Sequence, residues 1–339
     1  MKTIDVVIPL FNYEQYITVS IQSIQSQTYP VNKIIVVDDG STDNSASIVE
    51  CLAKQDPKIL LLRGTNHGLS AARNKGIRAA TADFIAFLDA DDIWLPDKLA
   101  EQMMIFSSHK DCAFIHTQAL AIAPEGTTID EMFSIGPFQS DQQTIVQSQF
   151  NSIRSGEYIV SGSASSVIAR RNMIIKAGLF DETMRFAEDW DMWARLAELG
   201  DVAFIPKPLV KIRVHPQSMQ RSIPAVARAR SRLNGRIAVA SHWENDNAFL
   251  QQHRQLARQD AWNVIRWLLL KPALLASFYK ELRNHRLKAG RVVVTSALDY
   301  LTLISWGITK TLKDVLTSPA ELKRLWGRLV AERKKAAGK

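Results

Sequence analysis

Four short apolar runs, separated by stretches of helical spacing, limit what the first 120 residues can fold into. IDVVIPL, KIIVVDD, ILLLR and FIAFLD are continuous and rich in β-branched residues, as strands buried on both faces are. Between them, NYEQYITVSIQSIQSQ, STDNSASIVECLAKQ and HGLSAARNKGIRAA carry helical spacing, with Ser41 or Thr42 placed to cap the second. Strand and helix alternating over short connections predict a doubly wound α/β layer. Such sheets bind ligands beyond the carboxyl ends of their strands. The residues at those ends are Pro9 to Asn12, Asp38 to Ser41 and Asp89 to Asp92, and together they mark a candidate site.

Periodicity then lapses between about 120 and 157, which reads as a long loop or insertion. YIVSGSASSVIARR resumes strand character, AEDWDMWARLAELG is helical with Trp193 on its core face and Gly200 as its stop, and VAFIPKPLVKIRVHPQS is a last extended segment. Residues 225–335 are almost wholly helical in pattern. Charge divides the chain at the same place. Residues 1–220 hold 19 Lys and Arg against 26 Asp and Glu, and residues 221–339 hold 23 against 8. A net charge of +8 therefore hides an acidic domain followed by a basic region. The expected division is 1–220 and 221–339. Two cysteines, Cys51 and Cys112, give neither metal spacing nor a disulfide framework, and MKTIDVVIPL lacks a signal-peptide core. Both fit a reducing cytoplasm.

The end of the fourth run poses a chemical problem. Asp89, Asp91 and Asp92 fall within four residues, with Asp83 just before the run. Like charges this close raise one another's pKa, so a compensating charge is expected, and a divalent cation is the obvious candidate. Asp92 has a second reading as the cap of a helix starting near Pro96.

Three segments in order, VVIPLFNYEQYITVSIQSIQSQTYPVNKIIVVDDGSTDNS, NHGLSAARNKGIRAATADFIAFLDADDIWLPDKL and GLFDETMRFAEDWDMWARL, closely resemble family 2 of the nucleotide-sugar glycosyltransferases. The resemblance covers roughly residues 3–220. It implies a GT-A fold, a Rossmann-like mixed sheet flanked by helices, followed here by a mostly helical C-terminal region. It also implies an inverting hexosyl or N-acetylhexosaminyl transferase using a nucleotide-diphosphate sugar, with UDP the expected nucleotide.

Residue by residue, Asp89-Ala90-Asp91 looks like the family's Asp-X-Asp, with Asp91 on Mn²⁺ or Mg²⁺ and Asp89 on the ribose or a metal-bound water. The small Ala90 lets the chain run close to the donor. Asp39 would hydrogen-bond uracil or ribose beside the tight turn at Gly40, with Pro9, Phe11 and Tyr13 bordering the base and Glu14 approaching it. Phe11 and Tyr13 fit a core role equally well, and Ser41 and Asp43 fit helix capping. Arg73 would lie near the pyrophosphate or base, its guanidinium suited to bidentate phosphate contact. A buried ion pair is its competing role. Asp189, opening a helix whose dipole favours the ionised form, would be the base that deprotonates the acceptor hydroxyl. Asp191 reads as a cap or surface charge, Trp190 as a flank of the acceptor, and His215 as a third metal ligand.

Five of the eight tryptophans lie between 243 and 326 among Lys and Arg. The apolar stretches WNVIRWLLLKPALLASFY and VVVTSALDYLTLISWGI are interrupted by Arg266, Lys271 and Asp299, so neither is a clean spanning helix. Amphipathic helices at an anionic membrane surface fit the pattern, as does an ordinary helical bundle. Nucleic acid is not expected as a partner, because no recognisable module accompanies the charge. The expected acceptor is a hydroxyl on a surface glycan or lipid-linked glycan, and the expected location is the cytoplasm or the inner face of the plasma membrane. A catalytically silent nucleotide-sugar binding or scaffold module is the rival reading. A nucleotidyltransferase is disfavoured, since the glycine- and lysine-rich N-terminal loop that such chemistry needs is missing.

Overall fold

A computed structural model describes residues 2–130, 145–147, 160, 163–184 and 187–215. The helical, membrane-facing reading of 221–339 lies outside these residues. The chain begins with β1 (Ile4–Leu10), α1 (Ile17–Gln25), β2 (Lys33–Asp38), α2 (Ser45–Gln55), β3 (Ile59–Arg63), α3 (Leu69–Ala79) and β4 (Phe84–Phe87). This is the alternation read from the sequence. A two-residue strand β5 (Ile93–Trp94), α4 (Lys98–Ser108), β6 (Cys112–Ile122), β7 (Thr128–Asp130) and β8 (Ile145–Gln147) follow. A 3-10 turn (Ala164–Ser166), β9 (Ile168–Arg170), α5 (Arg171–Lys176), α6 (Glu188–Leu199) and β10 (Asp201–Arg213) complete the described elements.

The strands form one mixed sheet in the order β3-β2-β1-β4-β9-β6-β10-β5, with β7 beside β6 and β8 beside β10. The first half is parallel, with β1 running between β2 and β4. Every residue of β1 is buried, as expected of a central strand covered on both faces. The second half turns antiparallel at β9, which joins β4 to β6. In the sheet, β10 runs parallel to β6 and antiparallel to β5, so the end of β10 is carried to the turn that follows β4.

Two local contacts hold the parallel half tightly. Helix α3 lies so close to β1 that a Cβ on Gly76 would stand 2.5 Å from Val7 Cγ1, a distance no side chain tolerates. After β2, Gly40 turns with φ +82, where an L residue is strained, and a Cβ there would meet Asn66 N at 3.1 Å. On the other side, Trp193 of α6 packs with Phe87, Phe114 and Phe180 at centroid distances of 5.6–5.9 Å. That aromatic cluster holds the middle of α6 against the sheet. Burial of each such ring is worth about 1.5–3 kcal/mol.

The helix starts differ from the sequence expectation. Helix α2 begins after Asn44 and is closed by neither Ser41 nor Thr42. Instead Glu14 Oε2 accepts the Asn44 N–H at 2.9 Å, and Asp43 Oδ1 accepts the Ser45 N–H at 2.9 Å. Helix α4 begins after Asp97, so Asp92 caps nothing. Within the stretch that reads as a long loop or insertion, β7 and β8 pair with β6 and β10, and residues 131–144 and 148–157 lie outside the described residues. Asp191, read as a cap or surface charge, is fully buried and pairs with Arg195 Nε at 3.0 Å.

Two outcomes test this packing. Cys51 is exposed whereas Cys112 is buried, its thiol pushed up to about 12 by burial. A thiol reagent at pH 8 is expected to modify one cysteine rapidly and the second only on unfolding; two fast thiols would contradict the fold. His116 is fully buried on β6, stacked on Phe204, and burial holds its imidazole down at about 3. Between pH 6.5 and 3 the unfolded chain binds a proton that the folded one does not, so stability falls with pH by about 1.4 kcal/mol per unit. Urea unfolding at pH 7.5 and 5 should show the wild type losing about 2 kcal/mol more than His116→Phe. Parallel pH dependence in the two proteins would refute it.

Candidate active site

The carboxyl ends of β1, β2 and β4 and the start of α6 bring the acidic groups together. After β4 the chain turns sharply, with the Asp92 N–H bonding the Asp89 carbonyl at 3.1 Å. Asp89 is partly exposed, and its Oδ1 meets Arg73 Nη2 at 3.0 Å. Asp91 is 7% exposed and its Oδ2 meets His215 Nε2 at 3.0 Å. Asp92 is turned inward and fully enclosed. Its carboxylate receives Ser165 Oγ at 2.6 Å, Ser163 Oγ at 3.2 Å and the Arg213 N–H at 2.9 Å. The three aspartates therefore point three ways. Ala90 is buried beneath them, with its carbonyl held by Ser20 Oγ at 2.8 Å.

Arg73 comes from α3 and is 2% exposed. Its second arm bonds Glu188 Oε1 at 2.9 Å, so one guanidinium links the aspartate turn to the first residue of α6. This is the buried ion pair held open from the sequence. Burial works against its charge, but Asp89, Glu188 and Asp189 outweigh that and raise its pKa. Glu188 is raised to about 7 by burial and by Asp189, with Arg73 opposing. Asp189 is also raised, by burial first and by Asp89, against the pull of Arg73. It stays partly exposed, its Oδ1 fixed by the Trp190 N–H at 2.7 Å. Trp190 itself is buried.

The other side of the turn is framed by aromatic rings. His215 sits 5.8 Å from the Tyr13 ring and 5.5 Å from that of Tyr16. Tyr13 thus stands on the aspartate side of the site, next to the imidazole that bonds Asp91, and burial, then Asp91, Asp89 and Asp92, raise its hydroxyl's pKa. Phe11 is 43% exposed at the end of β1, while Pro9 is buried within that strand. Asp39 accepts the His67 and Gly68 N–H groups at 2.9 and 2.8 Å and so ties the start of α3 to the end of β2. Glu14 faces α2, as described above.

Arg213, which the sequence pattern does not single out, also lies at the turn. Its Nε bonds the Asp91 carbonyl at 2.9 Å, its Nη1 bonds the Ala123 carbonyl at 3.1 Å, and its guanidinium stacks 4.6 Å from the Tyr16 ring centroid. The signal was present: in an extended segment Arg213 and His215 share one face.

Burial pushes Asp91 up, with Asp89 adding to it and His215 opposing, so the turn favours an additional positive charge. Among the described residues no three His, Cys, Asp or Glu side chains are grouped to hold a metal ion by themselves. Asp91 beside His215, with Asp89 two residues away on Arg73, could supply only part of a cation's ligands, the rest being phosphate oxygens and water.

Comparison with known proteins agrees with this architecture. The sequence profile of glycosyl transferase family 2 matches residues 5–146. An uncharacterized glycosyltransferase of Nostoc sp. is 30% identical over 251 residues, covering 72% of this chain and 74% of that protein. The putative teichuronic acid biosynthesis glycosyltransferase TuaG of Bacillus subtilis is 36% identical over 129 residues, 38% of this chain and 51% of its own length. Among solved structures, S. aureus TarS 1-349 in complex with UDP-GlcNAc superposes with a TM-score of 0.59 at 19% identity, over 75% of this chain and 71% of that one. The mixed curled sheet is thus of the GT-A kind, and the chain belongs to glycosyltransferase family 2 and is a glycosyltransferase.

Proposed function

We propose that this enzyme transfers a hexosyl or N-acetylhexosaminyl group from a UDP-sugar, with inversion, to a hydroxyl of a surface or lipid-linked glycan. The observation that carries the reading is Arg73 bonded at once to Asp89 and Glu188, which sets the Asp-X-Asp turn beside the Glu188-Asp189 pair. TuaG's name and the UDP-GlcNAc bound to TarS support the acceptor class and the nucleotide.

Asp91, His215 and Asp89 would hold Mn²⁺ or Mg²⁺. That cation supplies charge neutralisation for the departing diphosphate. Asp39, beside the turn at Gly40, would hold the uracil or ribose, with the exposed Phe11 ring along the base and the buried Pro9 only backing it. Tyr13 lies nearer the diphosphate, and Glu14 acts on the base only by fixing the α2 start. Arg73 is too enclosed to grip phosphate and instead orients Asp89.

Of the two acidic residues opening α6, Glu188 is taken up by Arg73, and Asp189 keeps access to an incoming alcohol. A carboxylate raised above its free pKa is a stronger base, which suits removal of the acceptor proton.

The basic region 221–339 would form a second domain that holds the enzyme against an anionic membrane face from the cytoplasm, as a peripheral protein. Among the described residues no helix is long and apolar enough to cross a membrane.

Asp189→Asn is expected to lower kcat by about 10²–10⁴ while UDP-sugar binding, read by calorimetry, is kept. Wild-type turnover in that variant would end the assignment. Arg73→Met leaves the buried Glu188 uncompensated and the partly exposed Asp89 without its partner, and should cost about 3 kcal/mol of stability, part of it recovered in Arg73→Met/Glu188→Gln. An additive double variant in urea unfolding would show that the pair is not coupled.

A further inference from the structure

The turn from Asp89 to Asp92 is shaped by a hydroxyl with no role in the reading above. Ser165 lies in the 3-10 turn Ala164–Ser166 and is fully buried. Its Oγ donates to Asp92 Oδ2 at 2.6 Å and accepts the Asp89 N–H at 3.0 Å. One hydroxyl thus ties the backbone at the start of the turn to the side chain at its end, around Ala90 and Asp91. Ser163 adds a longer contact to the same Asp92 oxygen, at 3.2 Å.

Ser165 is held in turn from behind. Its carbonyl accepts Trp94 Nε1–H at 2.8 Å, and the next carbonyl, of Ser166, accepts Gln102 Nε2 at 3.0 Å. Gln102 Oε1 accepts Lys98 Nζ at 3.0 Å, and that amine stands 4.1 Å from the Trp94 ring centroid. Trp94, Lys98, Gln102 and Ser165 are each at most 1% exposed. Burying a lysine among such partners is costly, and apolar side chains of similar volume would fill the space without that cost. The polar chain achieves what they would not. It anchors two successive carbonyls of the 3-10 turn, and with them the position of Ser165 Oγ.

We propose that Ser165 is a positioning residue, whose hydroxyl sets the direction in which the Asp89 and Asp91 carboxylates face cation and diphosphate, with Trp94, Gln102 and Lys98 as its support. The inference rests on the assignment of Asp89 and Asp91 made above. Removal of the hydroxyl strips the Asp89 N–H of its acceptor, whereas Asp92 retains Ser163 and the Arg213 N–H. The turn then relaxes at Asp89, and the loss falls on the cation rather than on nucleotide binding.

The test is a Mn²⁺ titration at saturating UDP, read by the electron paramagnetic resonance of the free ion, with UDP binding in EDTA measured alongside. It compares wild type, Ser165→Ala, Ser165→Cys and Ser166→Ala. Ser166 Oγ turns back on the Ser163 carbonyl at 3.0 Å, so its removal reports the general cost of losing a buried hydroxyl from this turn. Mn²⁺ affinity is expected to fall about tenfold in both Ser165 variants and to hold in Ser166→Ala, with metal-free UDP binding unchanged throughout. If Ser165→Ala does not fold, Ser165→Cys decides, since it nearly keeps the volume and removes the strong donor. Equal losses at 165 and 166, or no loss at 165, overturn the proposal. A wild type that takes up no Mn²⁺ with UDP overturns instead the assignment of Asp89 and Asp91.

Discussion

The Arg73 guanidinium, bonded to Asp89 at 3.0 Å and to Glu188 at 2.9 Å, is the interaction on which the site depends. A buried cation between two carboxylates is not a cheap way to add stability, because the desolvation of all three offsets much of their attraction. Its value is geometric. A planar fork with two arms fixes the distance and angle between its partners, and these partners come from the end of β4 and the start of α6. Gly76 lets α3 press onto β1, so the arginine is carried by the parallel half of the sheet. Trp193 seats α6 on the aromatic cluster over Phe87, and so the glutamate is carried by the other side.

Two adjacent carboxylates on α6 thereby acquire different characters. Successive residues on a helix point about 100° apart, so when one faces the buried guanidinium the next is turned away from it. Glu188 becomes a structural anion and Asp189 a partly exposed one, although composition alone cannot tell them apart. The same sorting occurs in the aspartate turn. Asp92 is enclosed by two serine hydroxyls and a backbone N–H, Asp89 by Arg73, and Asp91 by His215. Crowded like charges persist because each has its own donors, drawn from different parts of the chain.

Much of this was legible before the structure. The four parallel strands and three intervening helices follow from continuous β-branched runs and helical spacing, and the strand ends lie where the site is. Strand β6 escaped notice because His116, Thr117 and Gln118 interrupt its apolar run, yet all three are buried. Asp191 reads as a cap or surface charge, since a carboxylate is seldom enclosed unless paired; Arg195, four residues on, is the readable clue to its burial. Asp43 caps the start of α2 as expected, but Ser41 and Thr42 do not, because Glu14, far away in sequence, accepts the Asn44 N–H that a local serine or threonine would otherwise have met.

By itself the sequence determined the α/β class, the family and the list of acidic residues at strand ends, because apolar periodicity and local motif spacing are properties of short stretches of chain. Only the tertiary structure decided which carboxylate is anchored and which stays accessible, and that Arg73 joins the two halves instead of lying open. Those outcomes depend on which distant donors reach each acid once the sheet has closed, and no local pattern encodes that.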